Sequence, residues 1–212
     1  MRKSVYLWVF LCCCLSVGSV LPAEQANDAV VPVSRADRAS WVDRHNEKLK
    51  AIQSGEVGMI LVGDSITHNW EKAGKNVWNE FFSQRNAVNL GFGGDRTQHV
   101  LWRLNHGEID GINPKVAMVM IGTNNSNGDD NTAEEIADGI KAIVMCLRDK
   151  LPETKILVLA IFPRGDVRQR ATKTVATYNA QWGKNDRASQ IVSEMADNKH
   201  IFFLNINDAF LD

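Results

Sequence analysis

Residues 57–67 read Val-Gly-Met-Ile-Leu-Val-Gly-Asp-Ser-Ile-Thr, and the rest of the chain is organised around them. Val57 to Val62 is apolar apart from one glycine, the composition of a strand buried on both faces of a sheet. Gly63, Asp64 and Ser65 then form a tight turn that leaves a serine at the strand's carboxyl end. Ligands of open α/β sheets bind along that edge. A serine held there at the start of a helix has backbone N–H donors nearby, and it has the makings of a nucleophile.

The composition bounds what surrounds this stretch. A chain of 212 residues, 44% hydrophobic and 23% charged, suffices for one well-buried domain and is short for two. With 24 basic and 25 acidic residues the formal net charge is −1, which removes the basic-patch readings, nucleic acid and anionic membrane, as partners. The amino terminus stands apart. Arg2 and Lys3 precede an apolar run from Val5 to Leu21, closed by Pro22-Ala23 and the polar Glu24-Gln25. This layout predicts a secretory signal peptide over residues 1–23, and hence a secreted or periplasmic protein. The competing reading is an uncleaved anchor, because the run approaches the ~20 residues of a spanning helix. Cys12, Cys13 and Cys14 fall inside the run and would leave with the signal, after which no stable membrane association is expected. Cys146 then remains alone, read as a small buried hydrophobe inside a helix.

Along the chain, residues 24–39 are polar and without periodicity, a short linker. Ser40 and Asp43 resemble a capping box, and Trp41, His45, Leu49 and Ile52 form the inward stripe of a helix that Gly55 ends. Further apolar runs predict strands at Ala87–Leu90, Val116–Ile121, Ile156–Ile161 and Ile201–Ile206. Between them, helices are expected over Thr97–Asn105, behind a Thr132/Glu135 capping box, and over Gln169–Ala196 with an interruption near Gly183. Strands alternating with helices predict one α/β domain over residues 40–212, a parallel sheet in three α/β/α layers.

Three polar or glycine-rich clusters fall at the carboxyl ends of the first three strands: Gly63-Asp64-Ser65, Gly93-Gly94-Asp95 and Gly122-Thr123-Asn124-Asn125. Each alone has the composition of an ordinary turn. Their shared edge is what points to chemistry, because the Ser65 N–H, the Gly94 N–H and the Asn124 amide can converge on a developing oxyanion. Other features have blander readings. Gly91-Phe92-Gly93-Gly94 lacks the spacing of a phosphate-binding loop, and Trp70, Trp78 and Trp102 are packing residues by default. Asp95 and Arg96 either pair or brace the second loop. His68, His99, His106 and His200 are assigned structural roles.

In order and in flanking sequence, Gly63-Asp64-Ser65, Gly94 and Asn124 resemble the first three blocks of the SGNH (GDSL-type) hydrolases, closest to the platelet-activating-factor acetylhydrolase Ib-like subgroup. The resemblance runs from Trp41 to Phe210 and includes NLGFGGDRTQHVLWRLNHGEIDGINPKV (89–116), IGTNN (121–125) and PRG (163–165). It implies a flavodoxin-like five-stranded sheet in the order 2-1-3-4-5. It also implies hydrolysis of short acyl esters, acetyl above all, with no metal and no cofactor. Ser65 is cast as the nucleophile, with Gly94 and Asn124 as oxyanion-hole donors. The expected substrate is a small acyl ester on a carbohydrate or lipid-like carrier; a homodimer is left open. The family's fourth block, Asp-x-x-His after the fifth strand, has no counterpart in residues 205–212, where Asp208 is followed three residues on by Leu211. The resemblance therefore implies that these residues stop short of the general base and a final helix, with weak or absent hydrolysis. A non-catalytic carbohydrate- or ligand-binding domain on the same scaffold is the alternative.

Overall fold

The computed structural model describes residues 26–165 and 178–211. The expected signal peptide, and the expected start of the last long helix at Gln169, lie outside the described residues. Five parallel strands form one sheet: β1 (Met59–Gly63), β2 (Ala87–Gly91), β3 (Val116–Met120), β4 (Lys155–Leu159) and β5 (Ile201–Leu204). Their spatial order is β2-β1-β3-β4-β5, with Ile60 level with Val88 and Ala117, and Ile156 level with Ala117 and Ile201. The expected order and fold class are those observed. Strand limits moved by up to two residues, because backbone pairing begins only where both neighbouring chains are extended.

The helices are α1 (Ala39–Gln53), the single turn α2 (Ser65–His68), α3 (Thr97–Leu104), α4 (Ala133–Lys150) and α5 (Ala180–Ser193). Side chains alternate across each strand, so Ile60, Val62, Ala117, Val119, Ile156 and Val158 all face one side. There they pack with Leu101 and Leu104 of α3, Ile136, Ile140, Ile143 and Leu147 of α4, and Ala188 and Val192 of α5. Met118, Met120 and Leu159, on the opposite face, line an apolar groove with Ile66, Trp70 and Phe162.

Helix ends explain two further differences. At α4 the capping box forms: the Glu135 N–H donates to Thr132 Oγ1 at 3.2 Å, and the Thr132 N–H donates to Glu135 Oε2 at 2.8 Å. At α1 it does not. The helix starts at Ala39, so Ser40 lies inside the first turn, and the N-cap Arg38 makes no side-chain cap bond. Helix α5 starts where Asn179 Oδ1 accepts the Trp182 N–H at 3.0 Å, and it continues unbroken through Gly183.

Residues 26–38, read from composition as a linker, lie against the domain. Asn27 Oδ1 accepts the Ala29 N–H, Thr97 Oγ1 donates to Ala29 O at 2.8 Å, and Asn131 Nδ2 donates to Asp28 Oδ1 at 2.7 Å. The Val33 N–H donates to Gln98 O, and Ala29 is completely buried. This attachment is made of hydrogen bonds, which leave no apolar periodicity in the sequence.

Candidate active site

The site is built where β1, β2 and β3 end. Glycine is required at the close of both β1 and β2 because α2 passes directly over them. A Cβ on Gly63 would stand 2.2 Å from Thr67 Oγ1, and one on Gly91 would stand 2.3 Å from His68 N. Asp64 then caps α2, its Oδ1 accepting the Ile66 N–H at 2.9 Å. Ser65 is the first residue of that turn and is half-buried.

The three loops are hydrogen-bonded to one another. The Phe92 N–H donates to Gly63 O at 3.1 Å, tying the second loop to the first. Asn124 Nδ2 donates to Asp95 O at 2.8 Å, tying the third to the second. An amide nitrogen carries two hydrogens, so this bond leaves Asn124 one for a substrate. Gly94, at φ +75°, adopts the left-handed conformation that glycine enters freely. Gly94 and Asn124 line one cleft with Ser34, Arg35, Arg38 and His99. Ser65 is not in that lining; its neighbour Ile66 lines the apolar groove. The structure thus brings two of the three expected site residues into one cleft, with Ser65 on the adjoining turn.

Behind the second loop sits a buried charge cluster that sequence reasoning missed. Asp95 Oδ1 accepts Arg35 Nη1 at 3.0 Å and Trp41 Nε1 at 2.9 Å, and its Oδ2 accepts Arg103 Nε at 2.9 Å. Arg103 also donates to Glu108, which lies 2.8 Å from His45 Nδ1. The Arg103 guanidinium sits 3.8 Å from the centre of the Phe92 ring. A neighbouring Arg96 could not be told from a partner of Asp95 by sequence, yet Arg96 turns outward and pairs with Asp130 at 2.6 Å. The one available signal was Arg103 itself, which shares a helix face with Val100 and Leu104 and so had to be buried and paired. Asn125 has a structural role: its Oδ1 accepts the Thr97 N–H, and its Nδ2 faces Gln98 and Asn131.

The electrostatics next to Ser65 are set by Asp64. Burial pushes its carboxyl up from 3.8 to about 6; the Ile66 N–H opposes this, the Asp95 carboxylate adds to it, and Arg164 opposes it again. Asp64 Oδ2 has no hydrogen-bond partner among the described residues.

Among the described residues no imidazole is hydrogen-bonded to Ser65. His68 is pushed down by burial and by the nearby Arg44 and Lys72. His99 is pushed down by burial to about 4 and accepts the Arg96 N–H at Nδ1. His106 Nδ1 donates to Trp102 O at 2.6 Å while its ring stacks on Trp102. Trp78 stacks on Phe82, and Trp70 meets Phe82 edge-on.

Comparison with known proteins identifies the family. The GDSL-like Lipase/Acylhydrolase family model matches residues 61–212. The chain is 41% identical over 144 residues to platelet-activating factor acetylhydrolase IB subunit alpha2 of Rattus norvegicus, covering 66% of this chain and 61% of that protein. It thus spans about 61% of the length of these curated relatives. To subunit alpha1 of Bos taurus it is 34% identical over 172 residues, covering 81% of this chain and 68% of that one. A GDSL-like lipase of Bacteroides thetaiotaomicron shares the fold with a TM-score of 0.58 at 19% identity, over 77% of this chain and 76% of the other. Matched by the family model over most of its length, the chain belongs to the GDSL-like lipase/acylhydrolase family.

Proposed function

We propose that the protein is an exported serine esterase that removes short acyl groups, acetyl above all, from a carbohydrate or lipid-like carrier. Ser65 Oγ attacks the ester carbonyl, its proton passing through water to the departing alkoxyl oxygen, and the carbonyl oxygen takes up negative charge. The Ser65 N–H, the Gly94 N–H and the free hydrogen of Asn124 Nδ2 receive it. Collapse of the tetrahedral species expels the alcohol and leaves an acyl-serine, which water hydrolyses to the acid and free Ser65. The observation that carries this reading is the shared cleft of Gly94 and Asn124, braced by the bond from Asn124 Nδ2 to Asp95 O. Acetyl preference is supported by the names of the acetylhydrolase relatives. Export is supported by Arg2-Lys3 followed by the apolar run to Leu21. Each donor is worth about 10²–10³ in rate. A serine without a base retains only about 10³–10⁴ over water.

That no imidazole is hydrogen-bonded to Ser65 among the described residues favours a second reading, a binding domain for acylated ligands that does not turn them over. Protein expressed from the complete open reading frame separates the two. Turnover of p-nitrophenyl acetate that disappears in Ser65→Ala supports the esterase. Full activity in Ser65→Ala overturns the assignment of Ser65, and no turnover by the unaltered protein overturns the esterase.

A further inference from the structure

We infer that Arg35 is a positioning residue of this site, gripping the carbonyl of the Gly93–Gly94 peptide so that the N–H of the same peptide is held toward the cleft. The inference rests on the esterase reading for its effect on rate, though not for its effect on structure. Arg35 Nη1 donates to Gly93 O at 2.9 Å and to Asp95 Oδ1 at 3.0 Å. Gly93 O and the Gly94 N–H belong to one peptide unit, and that unit is trans. In a planar trans peptide the C=O and N–H point in opposite directions, so fixing one end fixes the other.

The peptide needs such a hold because glycine flanks it on both sides. Neither residue has a Cβ to resist a flip that would swap the N–H for the carbonyl oxygen, and such a flip would present a negative dipole to the oxyanion. Arg35 is itself held firmly. It is 8% exposed, its guanidinium lies 3.4–3.5 Å from where a Cβ of Gly94 would stand, and Asp95 is fixed independently by Trp41 and Arg103. The grip also acts on the strength of the donor. A cation bonded to the carbonyl polarises the amide and strengthens its N–H by roughly 10–30%. Arg35 is not the sole cationic partner of Asp95, since Arg103 Nε also bonds it at 2.9 Å. What only Arg35 does, among the described residues, is bond Gly93 O.

The test uses ¹⁵N-labelled protein from the complete open reading frame, as Arg35→Ala, Arg35→Lys and, as a control, Arg187→Ala in the exposed pair with Glu134. In Arg35→Ala the Gly94 amide resonance should shift and its hydrogen exchange should accelerate. Normalised to folded protein, kcat for p-nitrophenyl acetate should fall about tenfold to a hundredfold with little change in KM, less than the 10²–10³ for deleting a donor outright. Added methylguanidinium should restore part of the loss, Arg35→Lys should fall in between, and Arg187→Ala should match the unaltered protein. An unchanged Gly94 amide, or a kcat loss that tracks only the unfolded fraction, overturns the inference. Should Arg35→Ala fail to fold, the same readouts on Arg35→Lys decide. Absence of turnover by the unaltered protein would defeat the esterase reading alone, leaving the Gly94 amide response to judge the grip.

Discussion

Asp64→Asn isolates the cost of a charge buried next to Ser65. Asp64 is 1% exposed, its Oδ1 caps Ile66, and its Oδ2 has no partner among the described residues. Asparagine keeps the capping oxygen, replaces the orphan oxygen with an equally unpartnered NH₂, and never ionises. The folded carboxyl titrates at about 6 against an ordinary 3.8, so the folded state holds the proton more tightly than the unfolded one. Its contribution to stability is therefore complete below pH 3.8 and is lost as the pH rises through about 6. The whole effect corresponds to about 3 kcal/mol at 1.36 kcal/mol per pH unit. Between pH 5 and pH 8, a range that spares most other carboxylates, about 1.4 kcal/mol of it should disappear. Urea unfolding at both pH values measures this directly. The unaltered protein should lose about 1.4 kcal/mol more than Asp64→Asn on going from pH 5 to pH 8. Parallel losses in the two proteins would refute the claim that burial raises the titration of this carboxyl.

Two further substitutions probe the frame around the site. Gly91→Ala sets a Cβ 2.3 Å from His68 N and 2.6 Å from the Thr67 carbonyl carbon, both backbone atoms that must move. It should cost about 1–3 kcal/mol or more in urea unfolding, and a fully stable variant would contradict the close approach. Arg103→Met removes a cation shared by the buried Asp95 and Glu108, and should cost about 3–5 kcal/mol. A loss below about 1 kcal/mol would mean that Arg35, Trp41 and His45 satisfy both carboxylates without it.

The sheet was legible because β1, β3 and β4 are continuous apolar runs, a pattern that parallel strands covered by helices impose on any sequence. The Thr132–Glu135 cap was legible for a similar reason, since both partners sit within one turn. Ser65, Gly94 and Asn124 stood out through their position at strand ends and through family resemblance. Arg35 did not, because its partners Gly93 and Asp95 lie 58 and 60 residues away and its own segment carries no periodicity. Ser40 and Asp43 misled in the opposite direction. The spacing of a capping box was present, but the helix began two residues too early for Ser40 to use it.

Asp95 is gripped from three separate parts of the chain: Arg35 in the amino-terminal segment, Trp41 on α1 and Arg103 on α3. Loss of any one of these bonds leaves the other two in place, so the loop that carries Gly94 does not hang on a single contact. Ser34, Asp37 and Arg38 line the same cleft without being bonded to Asp95, and Asp37 and Arg38 are exposed. Such a division leaves the rim open to substitution without disturbing the bonds that hold the Gly94 loop.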